Sequence, residues 1–309
     1  MIDKQPRYFV RKAESPRGSI LAGDDQPLFP DEQPARPRAG RLTSATAARD
    51  GFGDLVEVVH PTRSAEDIIL GRESRFTLLG VADEFRHGDD IRRHGLAVRS
   101  KLLFCGPPGC GKTLCAEVVA SELKLPLVIA RLDALIASHL GETAGNLRRI
   151  FDAAKSRPMV LFLDEFDAIA RARNDATEHS EIRRVVNSLL MMIDQFSGRS
   201  LLIAATNLEE TLDRAIWRRF DEVVVFGKPT VPEIRRLLRM KTKNYPADFE
   251  ISKYADHFLG MSYAQVERAC LNAIRSAILL RKDRIPEASF RSSLENEIKR
   301  AKLEETILD

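Results

Sequence analysis

The sequence is short of cysteine and of long apolar runs. Its four cysteines among 309 residues show no spacing typical of a metal site, so we expect reduced thiols in a cytoplasmic protein. No apolar run reaches the roughly 18 residues that a membrane-spanning helix needs. The N-terminal stretch MIDKQPRYFV contains no apolar core of a signal peptide. These absences predict a protein that is neither exported nor held in a membrane.

A strong excess of one charge is also missing. The formal net charge is +3, which is too small to indicate a nucleic-acid partner, and no added DNA-binding motif accompanies it. The rest of the composition is ordinary for a soluble globular protein, because 44% of residues are hydrophobic and 30% are charged. A chain of this length suggests about two domains.

Residues 1–50 are predicted to form a flexible N-terminal tail. Five of the fifteen prolines lie between residues 11 and 50, with few large apolar residues beside them. Ordering such a segment costs more conformational entropy than burial returns. Its two apolar islands, YFV at 8–10 and PLF at 27–29, are either chance hydrophobes or a docking motif for a partner.

Residues 51–228 alternate between short apolar runs and helical stretches, which predicts an α/β domain. Continuous apolar runs are typical of strands buried on both faces of a parallel sheet. Helical stretches between the runs imply a sheet that is covered on both faces. The predicted strands are KLLF at 101–104, PLVIA at 126–130, VLFL at 160–163, LLIAAT at 201–206 and VVVF at 223–226, with helices near 112–124, 143–156 and 180–196.

Residues 229–309 lose the strand pattern and are predicted to form a small helical domain. Two segments, VPEIRRLLRMKTKNY and SYAQVERACLNAIRSAILLRK, have helical composition and spacing. Ser262 and Gln265 have the spacing of a capping box at the start of the second helix. Its apolar face is predicted to be Val266, Ala269, Ala273, Ala277 and Leu280.

The segment GPPGCGKT at 106–113 fits a phosphate-binding loop between a strand and a helix. Glycines let backbone N–H groups turn towards phosphate oxygens, and the helix N-terminus adds positive potential. Lys112 can reach the β- and γ-phosphates of ATP, and the Thr113 hydroxyl can hold Mg²⁺. The predicted nucleotide-binding residues are Pro107, Pro108, Gly109, Cys110, Gly111, Lys112, Thr113 and Leu114.

Polar residues follow two of the other predicted strands. Asp164 and Glu165 end VLFLDEFD at 160–167, at the edge where α/β sheets bind ligands. Asp164 suits Mg²⁺ and Glu165 suits a general base on the attacking water, unless the pair is a helix cap. Asn207 follows the next strand, where it either orients that water or contacts the γ-phosphate, or is a turn residue.

These motifs, in this order, resemble the AAA+ ATPases, specifically the AAA subgroup that includes katanin and spastin, over about residues 55–290. The resemblance implies a P-loop NTPase parallel sheet of order 5-1-4-3-2, a C-terminal helical lid, and a hexameric ring with ATP at the subunit boundaries. It also implies that Asp67 and Ile68 pack on adenine and that Ala264 lies beside the nucleotide. Tyr263 departs from the subgroup, which commonly has glycine there.

The resemblance also implies a role for the segment AIWRRFDE at 215–222. It implies that Arg218 and Arg219 point at the γ-phosphate of the neighbouring subunit, since two cations can sit together when a polyanion lies opposite them. The alternative is a surface basic pair salt-bridged to Asp221 or Glu222.

Two positions depart from the family pattern. His139, followed by Leu140, aligns with the pore-facing loop, where members that thread polypeptides usually carry an aromatic residue. This loop therefore either grips more weakly or recognises a partner without pulling it, unless His139 is simply a solvated surface residue. A second pore-facing stretch is expected at 176–184, with His179, Glu181 and Arg183. Cys110 is either a space-filling residue or a thiol whose pKa the helix N-terminus lowers.

Together these features predict a Mg²⁺-dependent ATPase that works as a homo-oligomeric ring in the cytoplasm. Its expected output is the remodelling or unfolding of a protein partner. One alternative is an ATP-dependent switch that assembles on, and regulates, a dedicated partner effector. A weaker alternative is a nucleic-acid motor, which the modest charge disfavours.

Overall fold

The computed structural model describes residues 56–132, 140–168, 180–207 and 214–308, in which one six-stranded sheet is followed by a helical region. The strands are β1 (Val56–Val59), β2 (Lys101–Cys105), β3 (Leu127–Arg131), β4 (Val160–Asp164), β5 (Leu201–Thr206) and β6 (Glu222–Val225). The predicted tail at 1–50 lies outside these residues.

The described helices divide between the sheet and the helical region at residues 231–308. The sheet is accompanied by α1 (Arg72–Arg86), α2 (Gly88–Arg93), α3 (Lys112–Glu122), α4 (Leu140–Ser156), α5 (Ser180–Asp194) and α6 (Arg214–Trp217). The helical region contains α7 (Val231–Lys241), a 3-10 helix (Ile251–Phe258), α8 (Tyr263–Leu279) and α9 (Glu287–Leu308). No helix in the described part of the chain is long and apolar enough to cross a membrane.

The strand order across the sheet is β1-β3-β4-β5-β2-β6. The five strands from β2 to β6 are parallel, and counted along the chain they have the order 5-1-4-3-2, which confirms the predicted topology. β1 is an additional antiparallel edge strand on β3. Its alternating segment VEVV is too short for the sequence pattern to distinguish it from a loop.

The sheet separates two apolar cores because successive side chains of a strand point to opposite faces. In β2, Leu103 and Cys105 face the core that α4 and α5 cover, whereas Leu102 and Phe104 face the core that α1 and α3 cover. Both faces of the sheet are therefore buried against helices, which explains why the strands are continuous apolar runs.

A third apolar core fills the helical region between α7, the 3-10 helix, α8 and α9. Val266, Ala269, Ala273 and Ala277 of α8 are buried, as their spacing predicts. Leu280 is 58% exposed, so the prediction that it belongs to this face is wrong. Leu280 is the C-cap residue, and the chain leaves the helix axis there.

Candidate active site

The phosphate loop joins the end of β2 at Cys105 to the start of α3 at Lys112. Gly106 has φ +145°, and a Cβ atom there would lie 2.0 Å from the Phe226 carbonyl oxygen. A side chain is therefore excluded where the loop passes the end of β6. This close approach holds the loop against the sheet at the carboxyl ends of its strands.

The Lys112 ammonium is held inside this loop. Its Nζ donates to the carbonyl oxygens of Gly106 at 2.5 Å and Pro107 at 3.1 Å, and to Asn207 Oδ1 at 2.8 Å. The residue is 8% exposed, and burial lowers its pKa although Cys110 and Asp164 act in the opposite direction. Its direct partners in the described part of the chain are neutral oxygens, so no carboxylate described there competes by direct contact with a phosphate for this cation.

Asn207 meets Lys112 because β5 lies beside β2 in the sheet. The two residues are 95 positions apart in the chain, yet they end neighbouring parallel strands at the same edge. The sequence predicts that Lys112 reaches the β- and γ-phosphates, and that Asn207 orients the attacking water, contacts the γ-phosphate or is a turn residue. The structure brings the two side chains into direct contact.

The acidic pair follows β4, which lies on the other side of β5. Asp164 Oδ1 accepts a hydrogen bond from the Glu165 backbone N–H at 2.9 Å. Glu165 has φ +55°, a left-handed conformation that is costly for a residue other than glycine and is frequent at active sites. Arg131, at the end of β3, lies 3.9 Å from a Glu165 carboxylate oxygen, and such an exposed contact contributes little to stability.

The residues at this edge fit a magnesium nucleotide. Thr113 is exposed at the first turn of α3, and Asp164 is half-buried at the end of β4. A hydroxyl and a carboxylate are therefore present at this edge as possible metal ligands. Within the described residues no group of three His, Cys, Asp or Glu could hold a metal by itself. That donor set suits Mg²⁺, which takes one or two protein ligands beside phosphate oxygens and water.

The residues expected to lie beside the nucleotide, Asp67, Ile68 and Ala264, differ in how they contact the phosphate loop. Ile68 is buried in the same core as Cys110, and the Ala264 N–H donates to the Gly109 carbonyl oxygen at 3.0 Å. The Asp67 carboxylate accepts from the Ser64 N–H at 2.8 Å and closes a capping box. Asp67 therefore orders the segment before Ile68 through its side chain.

Cys110 behaves as a space-filling residue. It is 4% exposed, and burial raises the pKa of its thiol. The structure thus disfavours the alternative in which the helix N-terminus lowers that pKa.

Arg218 and Arg219 follow α6 and differ in their surroundings. Arg218 is exposed, whereas Arg219 is 26% exposed and its Nε donates to Asp194 Oδ2 at 3.1 Å.

Asp221 and Glu222 were the alternative partners for this arginine pair, and the structure gives both acids other partners. Asp221 accepts from the backbone N–H groups of residues 100 and 101, and Glu222 pairs with the Arg99 guanidinium. Asp194 was not identified from sequence, because no local pattern places the end of α5 beside α6.

The predicted pore residues fall largely outside the described residues. His139 and His179 lie there, and the side chains of Leu140 and Glu181 are also outside the description. Arg183 is exposed on α5. The assignment of these residues to a central pore stays a prediction.

Comparison with known proteins agrees with this geometry. Residues 102–228 match the family model described as "ATPase family associated with various cellular activities (AAA)". The chain is 51% identical over 251 residues to the "Uncharacterized AAA family ATPase y4kL" of Sinorhizobium fredii, a match covering 81% of this chain and 76% of that protein.

More distant relatives are much longer than this chain. The "ATP-dependent zinc metalloprotease FtsH 3" of Sphaerobacter thermophilus is 30% identical over 82% of this chain, which spans 53% of that protein. The "Cell division cycle protein 48 homolog" of Archaeoglobus fulgidus is 33% identical over 71% of this chain, which spans 31% of that protein. The shared part is therefore about half or less of these longer relatives.

Proposed function

Because the chain belongs to the AAA family of ATPases, its reaction is the hydrolysis of ATP to ADP and phosphate, and we propose that a ring of its subunits uses this reaction to remodel or unfold a protein partner. The observation that carries the ATP site is the contact between the Lys112 ammonium and the Asn207 amide oxygen. The name of the FtsH relative, an ATP-dependent metalloprotease, supports a protein partner here.

Each residue at this edge has a role in the proposed mechanism. Lys112 binds the β- and γ-phosphates by exchanging one of its neutral oxygen partners for a phosphate oxygen. Glu165 takes a proton from the attacking water, and Asn207 orients that water. Thr113 and Asp164 would hold Mg²⁺, which neutralises charge on the phosphates when it is bound.

The ring arrangement is proposed from the arginines. Arg218 is exposed, and the described residues contain no salt bridge to its side chain, so its charge is available to an anion on another subunit. We propose a hexamer in which Arg218 and Arg219 stabilise the transferring phosphoryl group of the neighbour. All four cysteines are free, which supports the proposed cytoplasmic location.

Substrate trapping tests the remodelling proposal. Tagged Glu165→Gln protein should bind ATP without turning it over, and the partner should therefore co-purify with it in the presence of ATP. Lys112→Ala protein is the matched control, because it should lose the nucleotide and release the partner. Equal recovery of the same proteins from both variants would contradict ATP-dependent engagement.

The switch is the second candidate, and it rests on His139 at the expected pore position. Imidazole offers less apolar area to a threaded peptide than an aromatic ring does. The trapped partner distinguishes the two functions when it is incubated with wild-type protein and ATP. Loss of the partner's tertiary fold indicates remodelling, whereas an intact fold with altered activity indicates a switch.

A further inference from the structure

The Arg219 guanidinium is held by a carboxylate of its own subunit. Its Nε donates to Asp194 Oδ2 at 3.1 Å, and Asp194 is the last residue of α5. The two residues are 25 positions apart in the chain, and both side chains are partly exposed. A guanidinium has five N–H donors, and this bond uses one of them. Asp194 therefore restricts the direction of the Arg219 side chain where the chain leaves α6.

The segment after α6 has a second attachment, through the aromatic ring of Phe220. Phe220 directly follows Arg219 and is 8% exposed. Its ring meets the Phe166 ring edge-to-face, with 5.7 Å between the ring centroids. Phe166 is fully buried and directly follows Glu165, and its backbone N–H donates to the Ala205 carbonyl oxygen at 2.8 Å. The arginine pair is therefore packed against the segment that carries the acid pair of the same subunit.

The contact between Asp194 and Arg219 is too exposed to contribute much to stability, because water screens ion pairs of this kind. Its effect on the arginine side chain is larger. An unrestrained arginine populates many rotamers, and ordering them opposes the binding of a phosphate. A side chain that is already held loses less entropy when the phosphate arrives. The carboxylate also offsets the repulsion between the adjacent cations of residues 218 and 219.

We propose that Asp194 and Phe220 are positioning residues that hold the arginine pair in place for the phosphate of the neighbouring subunit. Asp194 acts on the Arg219 side chain, and Phe220 anchors the backbone of the pair against Phe166. The proposal rests on the proposed ring. In that ring, the contact between the two phenylalanines connects the acid pair of one site with the arginines that serve the next site.

Mixed rings test the proposal in the subunit that supplies the arginines. Glu165→Gln protomers supply arginines but no base, and Arg218→Ala/Arg219→Ala protomers supply the base but no arginines. Adding Asp194→Ala to the Glu165→Gln protomers should lower the recovered hydrolysis about three- to tenfold, the scale of one partly exposed charge-assisted hydrogen bond. Adding Asp194→Ala to the other protomers should change it by less than about twofold, because they have no arginines to position.

Asp89→Ala is the matched control for Asp194→Ala. Asp89 also binds an arginine, with 3.1 Å between its Oδ2 and Arg199 Nη2, but Arg199 precedes β5 and is remote from the carboxyl ends of the strands. This control should leave the recovered hydrolysis of Glu165→Gln mixtures unchanged. In rings of Asp194→Ala protomers alone, kcat should fall while the Kd for ATP stays within about twofold, because the groups assigned to nucleotide binding are untouched.

Phe220→Leu tests the second contact, because leucine keeps an apolar side chain and removes the aromatic edge. Placed in the Glu165→Gln protomers, it should also lower the recovered hydrolysis. Phe258→Leu is its control, since Phe258 also meets a phenylalanine edge-to-face, Phe290 at 6.2 Å between centroids, within the helical region. That variant should lower thermal stability and leave the recovered hydrolysis unchanged.

Two results would overturn the proposal. One is undiminished recovery with either Asp194→Ala or Phe220→Leu in the protomers that supply the arginines. The other is an equal loss of recovery when Asp194→Ala is carried by either type of protomer, which would show general damage to the fold. Mixtures without these substitutions that co-assemble in ATP and stay inactive would contradict the ring itself, and not only the roles of Asp194 and Phe220.

Discussion

At the scale of single residues, we expect Lys112 to serve ATP binding and Glu165 to serve the hydrolysis step. Glu165→Gln should bind ATP with near wild-type affinity and lose about 10²- to 10⁴-fold in kcat, because the metal-binding groups stay and the base is lost. Lys112→Ala should weaken binding itself, since the ammonium that neutralises phosphate charge is gone. Titration with a fluorescent nucleotide and steady-state hydrolysis measure the two effects.

An exposed lysine provides the control for this pair. Lys155→Ala, at the exposed end of α4, should change neither affinity nor turnover. Equal nucleotide affinity in Lys112→Ala and wild-type protein would show that the loop does not bind phosphate in the assigned way.

Substitution of His139, the predicted pore residue, tests whether the protein threads a partner or acts as a switch. If it grips a peptide, His139→Ala should reduce partner remodelling and leave basal ATP hydrolysis nearly intact. His139→Tyr should preserve or increase remodelling, because phenol offers more apolar area than imidazole. Unchanged processing of the trapped partner by the alanine variant would favour the switch. The measurement is partner unfolding per ATP hydrolysed.

At the scale of elements, Arg99 connects α1 to the edge strand β6. Its guanidinium donates to Glu84 on α1 and to Glu222 on β6, with all three side chains about one-third exposed. Arg99→Met leaves both acids without this partner. We expect the free energy of unfolding at neutral pH to fall by about 1 to 2 kcal/mol, a value reduced for solvent screening.

The pH dependence of this loss has a definite sign. The Arg99 hydrogen bond holds the pKa of Glu84 below its ordinary value of 4.5, so the pair stabilises the fold above that pH. The stabilisation disappears as the pH falls through the lowered pKa and the carboxylate is protonated. The difference between wild-type and Arg99→Met proteins in urea unfolding should therefore shrink below about pH 4.5. A difference that stays constant into acid would contradict this assignment.

At the scale of the whole molecule, we expect the arginines after α6 to act between the subunits of the proposed ring. Changing Arg218 and Arg219 to alanine should leave ATP binding by each protomer intact, because Lys112, Thr113 and Asp164 belong to the same chain. Turnover should fall steeply, with about 10³- to 10⁵-fold as the upper range for an arginine finger. ATP-stabilised assembly should weaken as well. Hydrolysis and sedimentation in ATP measure both effects.

Mixing the inactive variants tests action between subunits. Glu165→Gln protomers keep the arginines, and the double-alanine protomers keep the base, so mixed rings should recover some hydrolysis at boundaries that combine both. A mixture that co-assembles and stays inactive would contradict trans action. Loss of the Arg219 contact with Asp194 can lower stability, so thermal unfolding of the double-alanine protein is the control.

The local features of this protein are determined by its sequence. The spacing of the phosphate loop predicts the turn from β2 into α3, and the apolar runs predict strands buried on both faces. Ser262 and Gln265 form the predicted capping box. These features depend on neighbours within a few positions, where backbone geometry and side-chain type are sufficient.

Contacts between distant segments were decided only by the tertiary structure. The Lys112–Asn207 contact requires β5 to lie beside β2, a strand order that came from family resemblance and not from the residues themselves. The contact of Arg219 with Asp194 had no sequence signal at all. Each depends on which surfaces the helices bury, and many packings satisfy the same apolar periodicity until the whole core is assembled.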